Sequence, residues 1–96
     1  MKSYYIYILL CSDGSYYTGI SNDPLRRLYE HQKGLLKGCY THTRRPLKLV
    51  YIEEYESVHD ALDREKQIKG WTRKKKRALI DQNWDKLIKY AKSYTS

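Results

Sequence analysis

The fold is decided by residues 5–31, whose sequence is YIYILLCSDGSYYTGISNDPLRRLYEH. The stretch begins with an apolar run rich in tyrosine, turns at residues 12–14, and enters a second such run that contains Tyr17. Strands are typically built this way, and Asp-Gly favours a hairpin between two of them. Asp23 followed by Pro24 predicts the start of a helix. The stretch therefore brings tyrosines, arginines and a histidine together, and we interpret it as a candidate phosphate-handling site.

The length of the hairpin loop decides which face of the sheet each tyrosine occupies. A two-residue loop would place Tyr7 and Tyr17 on opposite faces, because a slip of one residue reverses every side chain. A three-residue loop, with Gly14 in the left-handed conformation, would instead pair Tyr7 with Gly19. Leu9 would then lie opposite Tyr17, and both phenols would share one face. We predict the three-residue loop.

Capping and turn residues divide the rest of the chain into one more strand and further helices. A basic loop over residues 35–45 separates the first helix from the third strand. The predicted limits, caps included, are Asp23 to Gly34, Leu47 to Tyr55, Ser57 to Gly70, Thr72 to Gln82, and about 84 to 92. We predict a single domain over residues 1–96, with its core at about 3–85. Its class is α/β (α+β), a small three-stranded antiparallel sheet flanked by helices in the order β-β-α-β-α-α, with a C-terminal helix.

Helical spacing predicts which apolar side chains face the core. In chain order these are Leu25, Leu28 and Tyr29, then Val58, Ala61, Leu62 and Ile68, and finally Leu87, Ile88 and Ala91. Glu65 falls on the same face of its helix as Ala61 and Leu62. A carboxylate on a face that should be buried is costly unless it is paired or bound to a metal. Glu65 is therefore a candidate metal ligand, and a structural ion pair with an arginine or a position at the solvent boundary is the alternative.

The chain carries a large excess of positive charge. It has 96 residues, with 19 Lys and Arg against 11 Asp and Glu, and a formal net charge of +8. This excess favours a nucleic-acid partner, since each neutralised phosphate releases counterions. Many small basic proteins bind nothing in particular, so charge alone leaves both interpretations open.

No apolar stretch of the sequence approaches the roughly 18 residues that span a membrane. The N-terminus also lacks the small-residue cleavage site of a signal peptide. We therefore expect a cytoplasmic protein with no membrane partner. Cys11 reads as a small core residue, whereas Cys39 and His42 lack the paired ligand halves of a zinc site.

Further basic residues are candidates for contacts with a nucleic-acid backbone. They are Arg26, Lys33, Arg44, Arg45, Arg73, Lys74, Lys75 and Lys76. For the run that begins at Arg73, an ordinary solvated helix face is an equally good interpretation.

The residues assembled above resemble the GIY-YIG nuclease superfamily. Residues 5–7, Tyr-Ile-Tyr, stand where the family has Gly-Ile-Tyr, and residues 17–19, Tyr-Thr-Gly, stand where it has Tyr-Ile-Gly. Arg27 and His31 follow at the spacing of the family's helix motif, and Glu65 matches its metal-binding glutamate. The resemblance covers about residues 3–85 and is closest to the small stand-alone bacterial proteins of this family. Two departures are tyrosine in place of the first glycine, and Ile20 where the incision nucleases of nucleotide-excision repair have a lysine.

The resemblance implies hydrolysis of a DNA phosphodiester by an in-line water with one divalent metal ion, Mg²⁺ or Mn²⁺. Glu65 would hold the metal, and Arg27 would bind the phosphate oxygens as their charge grows. Tyr7 would accept the proton of the water and Tyr17 would orient water or phosphate, or the two roles would be reversed. His31 would relay a proton or hydrogen-bond a tyrosine. A base of this kind needs a pKa near ~7, about three units below that of free tyrosine.

Three functions therefore remain open at the level of sequence. The first is a metal-dependent DNA endonuclease that acts in DNA repair or recombination, as a monomer targeted by a protein partner. The second is a nucleic-acid-binding module with the same fold and without useful turnover. The third is a protein-interaction domain that uses its tyrosine-rich surface. We favour the endonuclease, because a module that only binds would not need the carboxylate of Glu65.

Overall fold

The computed structural model describes residues 2–95, and it describes side chains at residues 2–90 and at Lys92. Three strands and four helices follow one another along the chain. They are β1 Tyr4–Leu10, β2 Tyr16–Ser21, α1 Pro24–Gln32, β3 Lys48–Tyr55, α2 Val58–Lys69, α3 Arg73–Gln82 and α4 Trp84–Thr95. This is the predicted α+β architecture, with α4 as the seventh element. Among the described residues, no helix is long and apolar enough to cross a membrane.

The sheet is antiparallel, with strand order β2-β1-β3, so β1 is central and β2 and β3 are its edges. The amide of Cys11 donates to the carbonyl of Ser15 at 2.8 Å, which leaves a three-residue loop between them. Gly14 in that loop has a φ of +84°, in the left-handed region that glycine adopts at low cost. Tyr7 is paired with Gly19. The predicted loop and register are confirmed.

Each face of the sheet carries its own apolar cluster, and helices cover both. Ile6, Ile8 and Tyr51 pack with Ile68 of α2 and Ile80 of α3 on one face. The clustered residues of the other face are Tyr7, Leu9, Cys11, Leu47, Ile52 and Leu87, with Tyr17, Leu28, Leu49 and Tyr90 packed against them. The sheet therefore lies between α2 and α3 on one side and α1 and α4 on the other.

The predicted helix caps are present. The side chain of Asp23 accepts a hydrogen bond from the Arg26 amide at 3.2 Å. Ser57 and Thr72 accept in the same way at the starts of α2 and α3. These bonds satisfy amides that have no partner within the helix, and they fix where each helix begins.

Several predicted core positions on the helices are wrong. Tyr29, Val58, Leu62 and Ile88 are between 37% and 58% exposed, whereas Ala61 and Ile68 are fully buried. A sheet of three strands is too narrow to cover a wide apolar face, so α2 buries only the stripe of side chains that faces the sheet. The side chain of Ala91 lies outside the described residues.

The pairing of Tyr7 with Gly19 produces the closest approach in the sheet. A Cβ atom built on Gly19 would lie 2.4 Å from both Cζ and the hydroxyl oxygen of Tyr7. Since Tyr7 is only 2% exposed, its ring has little room to move aside. Glycine at position 19 is therefore a requirement for the place of the Tyr7 phenol.

We predict that Gly19→Ala destabilises the protein by about 1–3 kcal/mol, the usual cost of overpacking a filled core. Urea denaturation followed by circular dichroism measures the change. Gly70→Ala is the matched control, because Gly70 has a φ of −79° and its added Cβ would meet nothing closer than 3.6 Å. Equal stability of the Gly19→Ala and Gly70→Ala variants would contradict the close approach.

Candidate active site at the β2 edge

The phenol of Tyr7 lies across Gly19 and meets a buried histidine of α1. Its hydroxyl is 3.1 Å from Nε2 of His31, and His31 is 2% exposed. The ring of Tyr17 lies beside both, with centroids 6.3 Å from Tyr7 and 5.2 Å from His31. Three of the predicted site residues, from two strands and one helix, are therefore in direct contact.

The other side of the His31 ring is held by the loop before β3. Nδ1 of His31 is 2.7 Å from the hydroxyl of Thr41, which is itself buried and donates to the sulfur of Cys39 at 3.5 Å. We assign the proton of His31 to Nδ1 and the acceptor role to Nε2, because a hydroxyl that donates to sulfur accepts from the ring. The hydroxyl of Tyr7 therefore donates to His31. The hydroxyl of Tyr17 lies close enough to the thiol of Cys39 for each group to shift the pKa of the other.

Burial determines the protonation of both tyrosines. It raises the pKa of Tyr7 above its ordinary value, and the nearby phenol of Tyr17 adds to this, although the positive charge of Arg27 opposes it. Burial and the hydrogen bond to Cys39 raise the pKa of Tyr17 to about 12. The protein groups alone therefore raise both tyrosine pKa values and do not supply the lowering toward 7 that a free base would need. The reason is that desolvation of a buried phenolate outweighs one partly exposed guanidinium.

The pKa values of His31 and Cys39 move in the opposite direction. Burial and the charge of Arg27 lower the pKa of His31, so the ring is neutral at pH 7. Burial raises the pKa of the Cys39 thiol, but hydrogen bonds from Thr41 and Tyr17 outweigh it and leave the pKa lowered. The Tyr7 hydroxyl is therefore hydrogen-bonded to a neutral imidazole.

Arg27 lies on α1, one turn before His31. Its guanidinium is partly exposed and 3.4 Å from the carboxylate of Glu30. Its positive charge acts on the hydroxyls of both Tyr7 and Tyr17. With Arg26, it lines a polar depression of about 270 Å³ between the end of β2 and the start of α1. Arg27 is thus partly exposed and close enough to both tyrosines for its charge to act on them.

Glu65 reaches the same edge of the sheet from the opposite face, because α2 packs across β2 and β1. Its side chain is only 13% exposed, and its carboxylate is 3.4 Å from the ammonium group of Lys69 one turn later. The negative charge of Glu65 acts on Tyr7 and Tyr17, as that of Arg27 does with opposite sign. Tyr7, Tyr17 and His31 are therefore in contact, and Arg27 and Glu65 lie close enough for their charges to act on both phenols. The ion pair with an arginine, considered as the alternative for Glu65, is replaced by one with a lysine.

The donor atoms at this edge fit one divalent metal ion only if the substrate completes its coordination. Mg²⁺ is commonly bound through one or two carboxylates, with water and phosphate oxygens in the other positions. Glu65 supplies one sheltered carboxylate. Among the described residues, no group of three or more His, Cys, Asp or Glu side chains could hold a metal by itself. The site therefore offers one protein ligand rather than a preformed cage.

The basic residues predicted to contact nucleic acid fall into two sets. Arg44 is held by the carboxylate of Asp13 at 3.0 Å, and Arg73 donates to the carbonyl of Gly14 at 3.1 Å, so both tie the hairpin loop to the rest of the chain. Lys75 lies over the ring of Trp71, and Lys76 is half-buried. Arg73 and Lys75 are nevertheless exposed, as are Arg26, Lys33, Lys74 and Arg45. Arg45 also donates to the carbonyls of His42 and Gln32 at 3.0 and 3.2 Å. The structure therefore gives Arg44 and Arg73 a structural task that sequence did not predict.

Sequence reasoning missed Thr41 and Cys39. Both belong to the loop predicted only as basic, yet Thr41 is 1% exposed and fixes the tautomer of His31. No periodicity marks a residue of an irregular loop as buried, so sequence offered no signal for either. The part played by Gly19, in contrast, follows from the predicted hairpin register.

Related proteins identify the family. Residues 3–78 match the GIY-YIG catalytic domain. A UPF0213 protein from Staphylococcus aureus strain Mu3 and UPF0213 protein SAV0488 from S. aureus strain Mu50 are each 48% identical to this chain over 83 residues. Each match covers 85% of this chain and 99% of the relative.

Two solved structures have the same fold. The solution NMR structure of UPF0213 protein BH0048 from Bacillus halodurans is 36% identical with a TM-score of 0.56, and that of EF2693 from E. faecalis is 37% identical with a TM-score of 0.59. Each match covers 85% of this chain and 86% of the other. With the hairpin, the two tyrosines and the helix motif in place, the chain belongs to the GIY-YIG family and is similar to its small UPF0213 proteins.

Proposed function

We propose that this protein is a metal-dependent endonuclease that hydrolyses phosphodiester bonds of DNA. The observation that carries the proposal is the hydrogen bond of 3.1 Å between the Tyr7 hydroxyl and Nε2 of His31. This bond lies where the charges of Arg27 and Glu65 both act on the phenols. Such a set can bind a phosphate, activate a water and remove its proton, which are the three needs of phosphodiester hydrolysis.

The proton of the attacking water passes through Tyr7 to His31 in this proposal. A phenolate does not have to accumulate, because Tyr7 gives its proton to Nε2 as it accepts one from water. The raised pKa of Tyr7 suits a relay of this kind better than a free base. Tyr17 is less buried than Tyr7 and orients the water or the phosphate. The Nδ1–H bond to Thr41 keeps the acceptor nitrogen turned toward Tyr7.

Arg27 and Glu65 serve to stabilise the negative charge on the phosphate. The guanidinium of Arg27 offers a planar fork of donors to two phosphate oxygens, and binds them more strongly as negative charge grows. Glu65 would hold the single divalent ion, which would supply positive charge to the phosphate and to the departing oxygen. Glu65 is paired with Lys69, whose side chain is exposed, so the carboxylate can exchange this partner for a metal ion.

A nucleic-acid-binding module without turnover is the competing function. The observation that favours it is the direction of the tyrosine pKa values, which makes either phenol a poor base unless its proton is passed on. It predicts binding of DNA that falls with salt and is indifferent to Glu65 and to metal. The two functions therefore differ in whether they depend on the carboxylate of Glu65.

We predict that the protein nicks supercoiled plasmid DNA in the presence of Mg²⁺ or Mn²⁺, and that Glu65→Gln and Arg27→Ala each reduce the rate by about 10²-fold or more. Arg27→Lys should keep part of the rate, since it preserves the charge and loses the fork. The measurement is the rate of nicking at saturating metal, with thermal melting to verify folding.

The matched control is Asp63→Asn, which removes one negative charge from the exposed face of α2. It should nick DNA at the rate of the unaltered protein. Wild-type nicking by folded Glu65→Gln would contradict the metal-binding role, and metal-independent DNA binding without nicking would favour the binding module.

We predict that Tyr7→Phe lowers the nicking rate by about 10²-fold or more, the usual worth of a positioned proton acceptor. Tyr17→Phe should lower it less, because that phenol is not bonded to His31. Both substitutions keep the ring that packs the sheet, so both variants should remain folded. A larger loss in Tyr17→Phe than in Tyr7→Phe would reverse the two roles.

Stability should also depend on the protonation of His31. Its pKa is lowered by burial and by Arg27, so the stabilising contribution of the neutral ring is complete above about pH 6.5 and is lost as pH falls through the lowered value. We predict a smaller fall in unfolding free energy between pH 7.5 and 5.5 for His31→Gln than for the unaltered chain. Urea denaturation at both pH values measures it. An equal fall in unfolding free energy between pH 7.5 and 5.5 in the two proteins would show that His31 is not the titrating group.

A further inference from the structure

A cleft lies at the β3 edge, on the side of the sheet away from β2. It has a volume of about 740 Å³, within the range of small-molecule sites. Residues of β1, β3, α2, α3 and α4 line it, and none of the five candidate catalytic residues does. The family match ends at residue 78, so the α4 wall lies outside the part of the chain that matches the catalytic domain.

One wall of the cleft is aromatic. Tyr5 of β1 and Tyr90 of α4 have ring centroids 5.3 Å apart and an interplanar angle of 54°. Tyr5 is also held by a hydrogen bond of 3.3 Å to the carboxylate of Glu54. Two tilted rings fixed in this way present a surface on which a planar ligand ring can pack.

The floor of the cleft is polar, and its polar groups already have hydrogen-bond partners within the protein. The carboxylate of Glu53 accepts hydrogen bonds from the hydroxyls of Tyr51 and Tyr55, and the Nε of Arg64 donates to it at 3.0 Å. Those bonds hold the pKa of Glu53 low although burial opposes it. The floor therefore carries fixed dipoles and no net charge from the Glu53–Arg64 pair.

The mouth of the cleft is cationic. Lys86 and Lys89 are exposed and three residues apart on α4, so they share one helix face above the cleft. Asn83 is beside them and donates its amide to the carbonyl of Leu79 at 3.1 Å, which fixes its side chain. With Arg64, the two lysines outnumber the two lining carboxylates, Glu53 and Glu54, by three to two, which favours the entry of an anion.

We propose that this cleft binds a nucleotide unit, with its base against Tyr5 and Tyr90 and its phosphate between Lys86 and Lys89. A hydrocarbon ligand does not suit a floor of fixed polar groups, and a simple anion would leave the aromatic wall unused. The unit is either a free mononucleotide or part of a single strand. The proposal does not depend on hydrolysis at the β2 edge, and it adds a second nucleic-acid contact at the opposite edge.

Titration of ¹⁵N-labelled protein with adenosine 5′-monophosphate, followed by NMR, tests the proposal. We expect saturable shifts in the amides of β3 and of residues 83–90. Ribose 5-phosphate and adenosine, each lacking half of the ligand, should bind at least about fivefold more weakly. A four-residue oligodeoxyadenylate distinguishes the sources, since tighter binding than the mononucleotide assigns the cleft to a single strand.

The double variant Lys86→Gln/Lys89→Gln should bind the mononucleotide about tenfold more weakly or worse. Its matched control is Lys37→Gln/Lys66→Gln, which removes two exposed charges away from the cleft and should bind as the unaltered chain does. Tyr5→Ala should weaken binding at least about fivefold, and Glu65→Gln should leave it unchanged. Equal binding of ribose 5-phosphate, equal loss in both lysine doubles, or the absence of shifts around the cleft would each overturn the proposal.

Discussion

The crossing of the Tyr7 ring over Gly19 is the contact on which the candidate site depends. Any larger residue at position 19 would place a carbon atom 2.4 Å from the phenol, so the ring could not lie across β2. In that position its hydroxyl reaches His31 on α1 and lies within the fields of Arg27 and Glu65. A hairpin register and a missing side chain thus gather residues from both faces of the sheet at one edge.

Burial gives this site its chemistry as well as its stability. A phenol inside the fold resists ionisation, and an imidazole inside the fold resists protonation. Tyr7 and His31 are therefore both neutral at pH 7 and share one hydrogen bond. That pair can transfer a proton with little rearrangement, because Thr41 fixes the His31 tautomer from the other side. The same desolvation that makes Tyr7 a poor free base makes the pair suitable as a relay.

The two edges of the sheet are built from different parts of the chain. The β2 edge uses the hairpin, α1 and α2, which lie within the match to the GIY-YIG domain. The β3 edge uses α4, which lies beyond it. Tyr5 connects the two regions: it occupies the first motif position, where the family has glycine, and its ring packs on Tyr90. A departure from the motif at position 5 is therefore matched by a contact with the additional helix.

The sequence by itself determined the elements, the caps and the hairpin register, because turn residues and side-chain alternation act over a few neighbouring positions. Asp23, Ser57, Thr72 and Gly14 each do what their local chemistry predicts. Only the tertiary structure decided what depends on burial by distant segments. It placed Thr41 behind His31, left Leu62 and Ile88 exposed, and raised the tyrosine pKa values. Desolvation is a property of everything packed around a group, and no stretch of sequence contains that information alone.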